Sequence, residues 1–142
     1  MNILHVLTSR RRLGNLGENA AARFLKRHRY KILERNYVGK RGEIDIIASK
    51  KKMMVFVEVK TRSTENANAR ESRPSASVDS QKQRRLIHVA NEYARTVHKE
   101  NGCMMRMDII EVYTETINNK LKIRKIVHIE NAFNMNSAYK TY

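Results

Sequence analysis

Leu16, Ala20, Phe24 and Leu25 recur at helical spacing while Arg23, Lys26 and Arg27 occupy other directions, which predicts a helix over 13–29. Gly14 and Gly17 loosen only its start. Ile32 and Leu33, with Tyr30 and Tyr37 beside them, are apolar points in a basic stretch that ends at Gly39 and Gly42, and they read as a turn or short strand. The runs Glu-Ile-Asp-Ile-Ile-Ala at 43–48 and Met-Met-Val-Phe-Val-Glu-Val-Lys at 53–60 have the β-branched richness of strands. The polar 49–52 between them makes an antiparallel hairpin. A period of two places Glu43 and Asp45 on one face of the first strand, and Glu58 and Lys60 on one face of the second. In a suitable register those faces coincide.

Residues 63–77 hold Ser, Asn, Ala, Glu, Arg and the only proline without a sustained apolar period, and read as a mobile loop. A second helix is expected after Asp79 or Ser80, either of which can cap it, running through Leu86, Val89, Ala90, Tyr93 and Val97 to a stop at Gly102. Alternation over 105–113 and 121–129 predicts two more strands joined by a turn at Asn118 and Asn119, with a frayed tail after Phe133. No repeat or compositional break divides the chain, so residues 1–142 are expected to form one domain with flexible segments at 1–11 and 134–142.

Length and charge narrow the function. A chain of 142 residues with 41% hydrophobic content supplies one core and excludes a multidomain machine. Lys and Arg number 29 against 14 Asp and Glu, and the formal charge of +15 favours a polyanionic partner, nucleic acid before anionic membrane. The single cysteine, Cys103, closes no internal disulfide and builds no Cys-rich zinc site. The apolar run 3–7 is broken by His5 and followed by Arg10, Arg11 and Arg12, too short for a signal segment or membrane span. A cytoplasmic protein without a membrane anchor is the expectation. The five histidines show no ligand spacing and receive no role, and the methionines, including Met53, Met54, Met104 and Met105, read as core filler.

The chemistry concentrates at Asp45 and at Glu58-Val59-Lys60, where two acids and a lysine project from adjacent strands into one small volume. Carboxylate repulsion and desolvation oppose burying such a group dry, and a cation between the acids in a partly wet site resolves the conflict. Mg²⁺ suits, because it takes oxygen ligands, keeps several waters and uses one or two carboxylates with substrate phosphate oxygens.

Four motifs then carry a resemblance: Leu13-Gly14-Asn15-Leu16-Gly17-Glu18, Gly42-Glu43-Ile44-Asp45-Ile46-Ile47, Val55-Phe56-Val57-Glu58-Val59-Lys60-Thr61-Arg62 and Val78-Asp79-Ser80-Gln81-Lys82-Gln83-Arg84-Arg85-Leu86. In this order they resemble the YraN-like proteins, uncharacterised bacterial proteins similar in turn to the PD-(D/E)XK nuclease superfamily and its archaeal Holliday-junction resolvases. Met107-Asp108-Ile109-Ile110-Glu111-Val112 and Ala132-Phe133 match the later pattern more weakly. The resemblance implies an α/β fold with a restriction-endonuclease-like core, a mixed β-sheet of about four to five strands flanked by helices. It implies metal ligands at Asp45 and Glu58, a ligand or water-positioning acid at Glu18, a catalytic lysine at Lys60, a metal-binding carbonyl at Val59 and an auxiliary polar residue at Lys82. The 63–77 loop departs from the pattern, lacking an aromatic–glycine pair before the second helix.

Each feature has a bland counterpart. Glu-Val-Lys on a strand is commonplace as an exposed ion pair worth little, and a glutamate in the first turn of a helix, as Glu18 is expected to be, complements the dipole. Basic runs are commonly solvated turns. The flanking valines and Phe56, which mark a strand buried on at least one face, shift the balance to a site. The leading expectation is Mg²⁺- or Mn²⁺-dependent hydrolysis of phosphodiesters in DNA, with branched or structured DNA as the favoured form. Arg62, Lys82, Arg84 and Arg85 would contact phosphates, and a homodimer would suit a two-fold branched substrate. The alternatives are a non-catalytic nucleic-acid binder on a nuclease-like scaffold and, third, a ribosome-associated or other assembly protein.

Overall fold

In the computed structural model, residues 3–64, 78–98 and 104–135 are described, with the backbone alone for 3–10 and 98. The elements run α1 (Ile3–Arg27), β1 (Lys31–Val38), β2 (Glu43–Lys50), β3 (Met53–Ser63), α2 (Ser80–Tyr93), a π-helical turn at Ala94–His98, β4 (Met104–Ile117) and β5 (Lys120–Phe133). The strands form one mixed sheet in the order β1-β2-β3-β4-β5. Pairing is antiparallel except between β3 and β4, which are parallel. A parallel pair requires a crossover, and α2 lies on that connection.

The two helices cover opposite faces. Ala21 and Leu25 of α1 pack with Ile46, Ala48, Val55, Val57, Ile110 and Val112. On the other face Leu86, Ile87, Val89, Ala90 and Tyr93 of α2 pack with Ile44, Ile47, Met54, Phe56, Met107 and Ile109. Central β3 is covered on both sides, which is why 54–57 is an unbroken buried apolar run rather than an alternating one. Each fully buried Val, Ile or Phe there contributes roughly 1.5–3 kcal/mol. This α/β sheet flanked by two helices is consistent with the restriction-endonuclease-like core expected above.

Local signals explain the boundaries. Arg29 adopts φ 68° just past α1, while Tyr30 N–H bonds to Leu25 O and Arg29 N–H to Lys26 O. That is a Schellman ending, and its usual apolar contact is met because Tyr30 and Leu25 share a cluster. Asp79 caps α2 by accepting from Lys82 N–H at 2.8 Å, as its sequence position predicts. Asn118 and Asn119, at φ 50° and 60°, make the β4–β5 turn, which suits the twist of the flanking strands.

Several elements differ from the pattern-based expectation. α1 starts at Ile3 rather than near 13, because neither glycine breaks the helix. Gly17 instead serves packing: a Cβ there would meet Thr61 Oγ1 at 1.9 Å, so a bare α-carbon lets α1 approach β3. The basic 31–38 stretch is a complete edge strand, with Asn36 at φ 51° and a register shift between Ile32 and Glu34. β4 and β5 outrun their apolar alternation, since the end of the hairpin is held by pairing and its faces are largely exposed. The α-helix ends at Tyr93, leaving Val97 in the π turn 50% exposed, and Met104 is 60% exposed rather than core filler. Residues 65–77 of the expected mobile loop, the Gly102 stop, Cys103 and the 136–142 tail lie outside the described residues.

Candidate functional site: a carboxylate pair at the parting of two strands

β2 and β3 pair from Lys50↔Met53 as far as Ile46↔Val57 and then part. Strict alternation would put Ile44 with Ile46, yet Ile44 joins the α2-side core whereas Ile46 and Ala48 join the α1-side core. The strand therefore turns about its own axis at Asp45. Val59 N–H, with no β2 carbonyl registered opposite it, donates to Asp45 Oδ2 at 2.8 Å. The contact found at Val59 thus runs through its N–H, where the resemblance implied a role for its carbonyl.

Glu58 leaves β3 on the α2 side and is 7% exposed. Its Oε1 accepts from Lys82 Nζ at 2.6 Å and lies 3.4 Å from Lys60 Nζ. The Asp79 cap that sets the first turn of α2 also fixes the backbone from which Lys82 reaches Glu58. Burial opposes the Lys82 ammonium, but its bond and attraction to Glu58 outweigh that, and its pKa is raised. Asp45 is pushed up to about 7, first by burial, then by the charges of Glu58 and Glu18 and a side-chain hydrogen bond with Glu58, against the stabilising Val59 N–H. The group opens onto a cavity of about 310 Å³ lined by Arg41, Glu43, Asp45, Glu58, Lys82 and Arg85, among others.

The expected residues divide into three sets. Asp45, Glu58, Lys60 and Lys82 converge, and Glu18 acts on Asp45 through space from α1. Glu18 stands in the body of α1, so complementing the dipole of a first turn does not account for it. Arg85 lines the cavity, and Arg84 is exposed but is not part of its lining. Arg62 points elsewhere: its buried Nε lies 3.9 Å from Glu111 Oε2 and has no hydrogen-bond partner. Glu111 also accepts a hydrogen bond from the Tyr113 hydroxyl, and that bond with burial raises the Tyr113 pKa. Lys26 and Arg27 lie at the far end of α1, away from the acids.

Sequence reasoning missed Arg41, which lines the cavity, and a second buried acid, Asp108. Asp108 is fully buried and accepts from Arg106 Nε and Nη2, both at 2.8 Å, from Asn131 N–H at 3.0 Å, and bonds His128 Nε2 at 2.7 Å. Arg106 and Asp108 stand two apart on one strand, so the period of two offers a signal for that pair. His128 and Asn131 come from β5, and nothing local announces them.

Comparison with known proteins matches residues 17–112 to the model of the uncharacterised protein family UPF0102. The chain belongs to this family. A UPF0102 protein of Caldicellulosiruptor saccharolyticus is 44% identical over 125 residues, covering 88% of this chain and 99% of that protein. One from Caldanaerobacter subterraneus subsp. tengcongensis is 42% identical over 125 residues, covering 88% and 97%. One from Geobacter metallireducens is 40% identical over 123 residues, covering 87% and 93%. UPF0102 membership agrees with the YraN-like resemblance, and the matched span contains Glu18, Asp45, Glu58, Lys60, Lys82 and Asp108. No helix among the described residues of this UPF0102 chain is long and apolar enough to cross a membrane.

Among the described residues no cluster of three or more His, Cys, Asp or Glu side chains is placed to hold a metal. The pair Asp45 and Glu58 nevertheless fits a hard divalent cation. Both offer oxygen, they repel one another, and they border a cavity with room for water and substrate oxygens.

Proposed function

We propose that the chain is a divalent-cation-dependent nucleic-acid hydrolase that cleaves phosphodiesters, with DNA, and branched or structured DNA in particular, as the substrate. The observation that supports this most is the carboxylate pair itself: Asp45 and Glu58 oppose one another's charge at the parting of two strands, with Lys82 at 2.6 Å and Lys60 at 3.4 Å from Glu58 and a cavity in front. Asp45 and Glu58 would hold the ion, and Asp45 would release its proton as the ion arrives. Mg²⁺ or Mn²⁺ would supply charge neutralisation at a phosphate oxygen and a more acidic water. Lys60 adds fixed positive charge where negative charge develops in the transition state. Glu18 orients water beside Asp45, and Arg41, Arg84 and Arg85 meet the flanking phosphates. A homodimer on a two-fold substrate and a cytoplasmic setting belong to the same reading.

One contact favours a second reading. The 2.6 Å bond from Lys82 already neutralises Glu58 with an ammonium, as a scaffold that binds nucleic acid without cutting it would need. Labelled linear, single-stranded, flapped and four-way DNAs, incubated with Mg²⁺, Mn²⁺ or chelator, separate the two. Metal-dependent cleavage that disappears in Glu58→Gln and Lys60→Ala while affinity persists supports hydrolysis. Salt-sensitive binding without cleavage, unchanged or tightened in Glu58→Gln, supports the scaffold.

A further inference from the structure

β4 and β5 run on as a two-stranded arm past the point where β3 stops. The last rung between β3 and β4 is Ser63↔Thr114, whereas β4 and β5 stay paired to Ile117↔Lys120. The root of the arm is fixed. Thr114 is fully buried, its carbonyl accepts from the Thr64 N–H at 2.9 Å and the Thr64 hydroxyl at 3.1 Å, and its own hydroxyl donates to Arg62 O at 3.3 Å. Beyond it every residue from Thr116 to Lys122 is exposed, and Asn118 and Asn119, both at positive φ, close the tip tightly. Burial does not account for this extension, because the side chains along it stay in water.

Register decides which face carries the charge. Ile109, Glu111, Tyr113, Glu115 and Ile117 alternate onto the α2 side of β4, the side on which Glu58 stands. Opposite the last three of these stand Lys125, Lys122 and Lys120, so three exposed lysines share that side. Arg124, the extra residue where the register shifts, pairs with Glu115 at 3.6 Å, and the lysines carry the net charge of the arm. The opposite face bears Thr114, Thr116, Leu121 and Ile123 and is uncharged. Ile117 and Leu121, the exposed apolar residues of the arm, thus fall on different faces. A lipid surface requires them on one. Tyr113 is the only aromatic residue of 113–125, its ring lies 5.8 Å under Lys125 Nζ, and its hydroxyl is bonded to Glu111. The arm therefore offers cations to phosphate rather than a platform to bases.

On the nucleic-acid reading proposed above, we infer that this arm docks on the backbone of a duplex at a distance from the candidate site, with Lys120, Lys122 and Lys125 meeting phosphates. Ile117 stands eight strand residues beyond Ile109, the register partner of Glu58, roughly 26 Å at about 3.3 Å per residue. A duplex seated at Glu58 reaches the tip after about eight base pairs, at about 3.4 Å per pair. Over that span a duplex is stiff and holds both points at once. A two-stranded ribbon also fits the major groove, which is about 12 Å wide. Because the arm is already paired and closed by its turn, docking costs it little ordering.

The test is fluorescence anisotropy of the full chain with a labelled DNA duplex of about 24 base pairs over a salt series, in chelator so that cleavage does not interfere. Lys120→Gln/Lys122→Gln/Lys125→Gln is compared with a charge-matched control at the other end of the sheet, Lys26→Gln/Arg27→Gln/Lys51→Asn, where Lys51 has φ 55° and asparagine suits it. The arm substitutions are exposed, and an unchanged Tm confirms the fold. Expected are a loss of affinity of at least about tenfold in the arm variant and a log–log salt slope shallower by about two to three. The control should stay within about threefold of the parent chain. The parent should also prefer duplex to single strand, and the arm variant should lose that preference. An arm variant with the parental affinity and slope, or a control that loses as much, overturns the arm while duplex binding by all three leaves the nucleic-acid reading standing. No duplex binding by the parent overturns both. Binding to phosphatidylserine vesicles that the arm variant loses, without duplex binding, overturns the inference in favour of a membrane contact.

Discussion

Two acids, half-buried Asp45 and fully buried Asp108, stand on the same sheet and meet opposite treatment. Asp108 accepts from both nitrogens of an Arg106 fork and from a backbone N–H, with His128 on its other oxygen. Burial opposes its charge most, yet these bonds together prevail and its pKa lies below the ordinary value. Asp45 has one backbone donor and faces two further acids, and its pKa rises to about 7. Arg106 shows the mirror effect, raised chiefly by its bonds to Asp108. One carboxylate is thus completed by the fold, and the other is left with a deficit of positive charge beside a cavity. The unmatched acid is the one at which the proposed cation would supply the missing charge.

The sharpest break of this contrast is Asp108→Asn. It leaves the Arg106 charge half-buried without its counter-charge, and urea unfolding should show a loss of about 3–5 kcal/mol. A loss below about 1 kcal/mol would mean that Asp108 is not the structural member of the pair. Asp45→Asn should act the other way, raising stability at pH 8 by on the order of 1–2 kcal/mol because it removes a strained charge.

The pH dependence carries the sign. A carboxyl raised in the folded state favours folding most below its unfolded value of 3.8, and that contribution is lost as pH rises toward about 7. Asp108 contributes stability above its ordinary value and loses it as pH falls through the lower folded one. Metal-free protein should therefore lose Tm between pH 4 and 8 in a way that Asp45→Asn abolishes. Millimolar Mg²⁺ should restore Tm at pH 8 in the parent chain alone. A melting series insensitive to both would remove the charge deficit at Asp45. The smallest effect belongs to Glu115→Ala, which breaks a mostly exposed 3.6 Å pair with Arg124 and should cost under about 0.5 kcal/mol. It sets the scale of an ion pair that is neither buried nor functional.

Much of this was legible in the chain. The β-branched runs of β2 and β3, the Asp79 cap, the Asn118-Asn119 turn and the grouping of Asp45 with Glu58 and Lys60 follow from period, capping and turn chemistry. These are local signals, set by neighbours within a few residues. The length of α1 escaped because the short apolar run at 3–7 and the arginines after it carry no sustained helical period and read as a flexible segment, and the packing of Gly17 escaped because it answers to Thr61 on another element. The edge strand β1 escaped because edge positions are mostly exposed and carry little apolar alternation.

What the sequence determined by itself is therefore the inventory: which segments become strands or helices, and which acids and lysines a strand presents together. Only the tertiary structure decided how charged each one is. Lys82 reaches Glu58 across 24 positions, Arg106 reaches Tyr30 across 76, and Asp108 waits for His128 from a different strand. Those distances set burial and counter-charge, which are sums over the whole fold, and they separate an acid whose charge is matched from one whose charge is opposed.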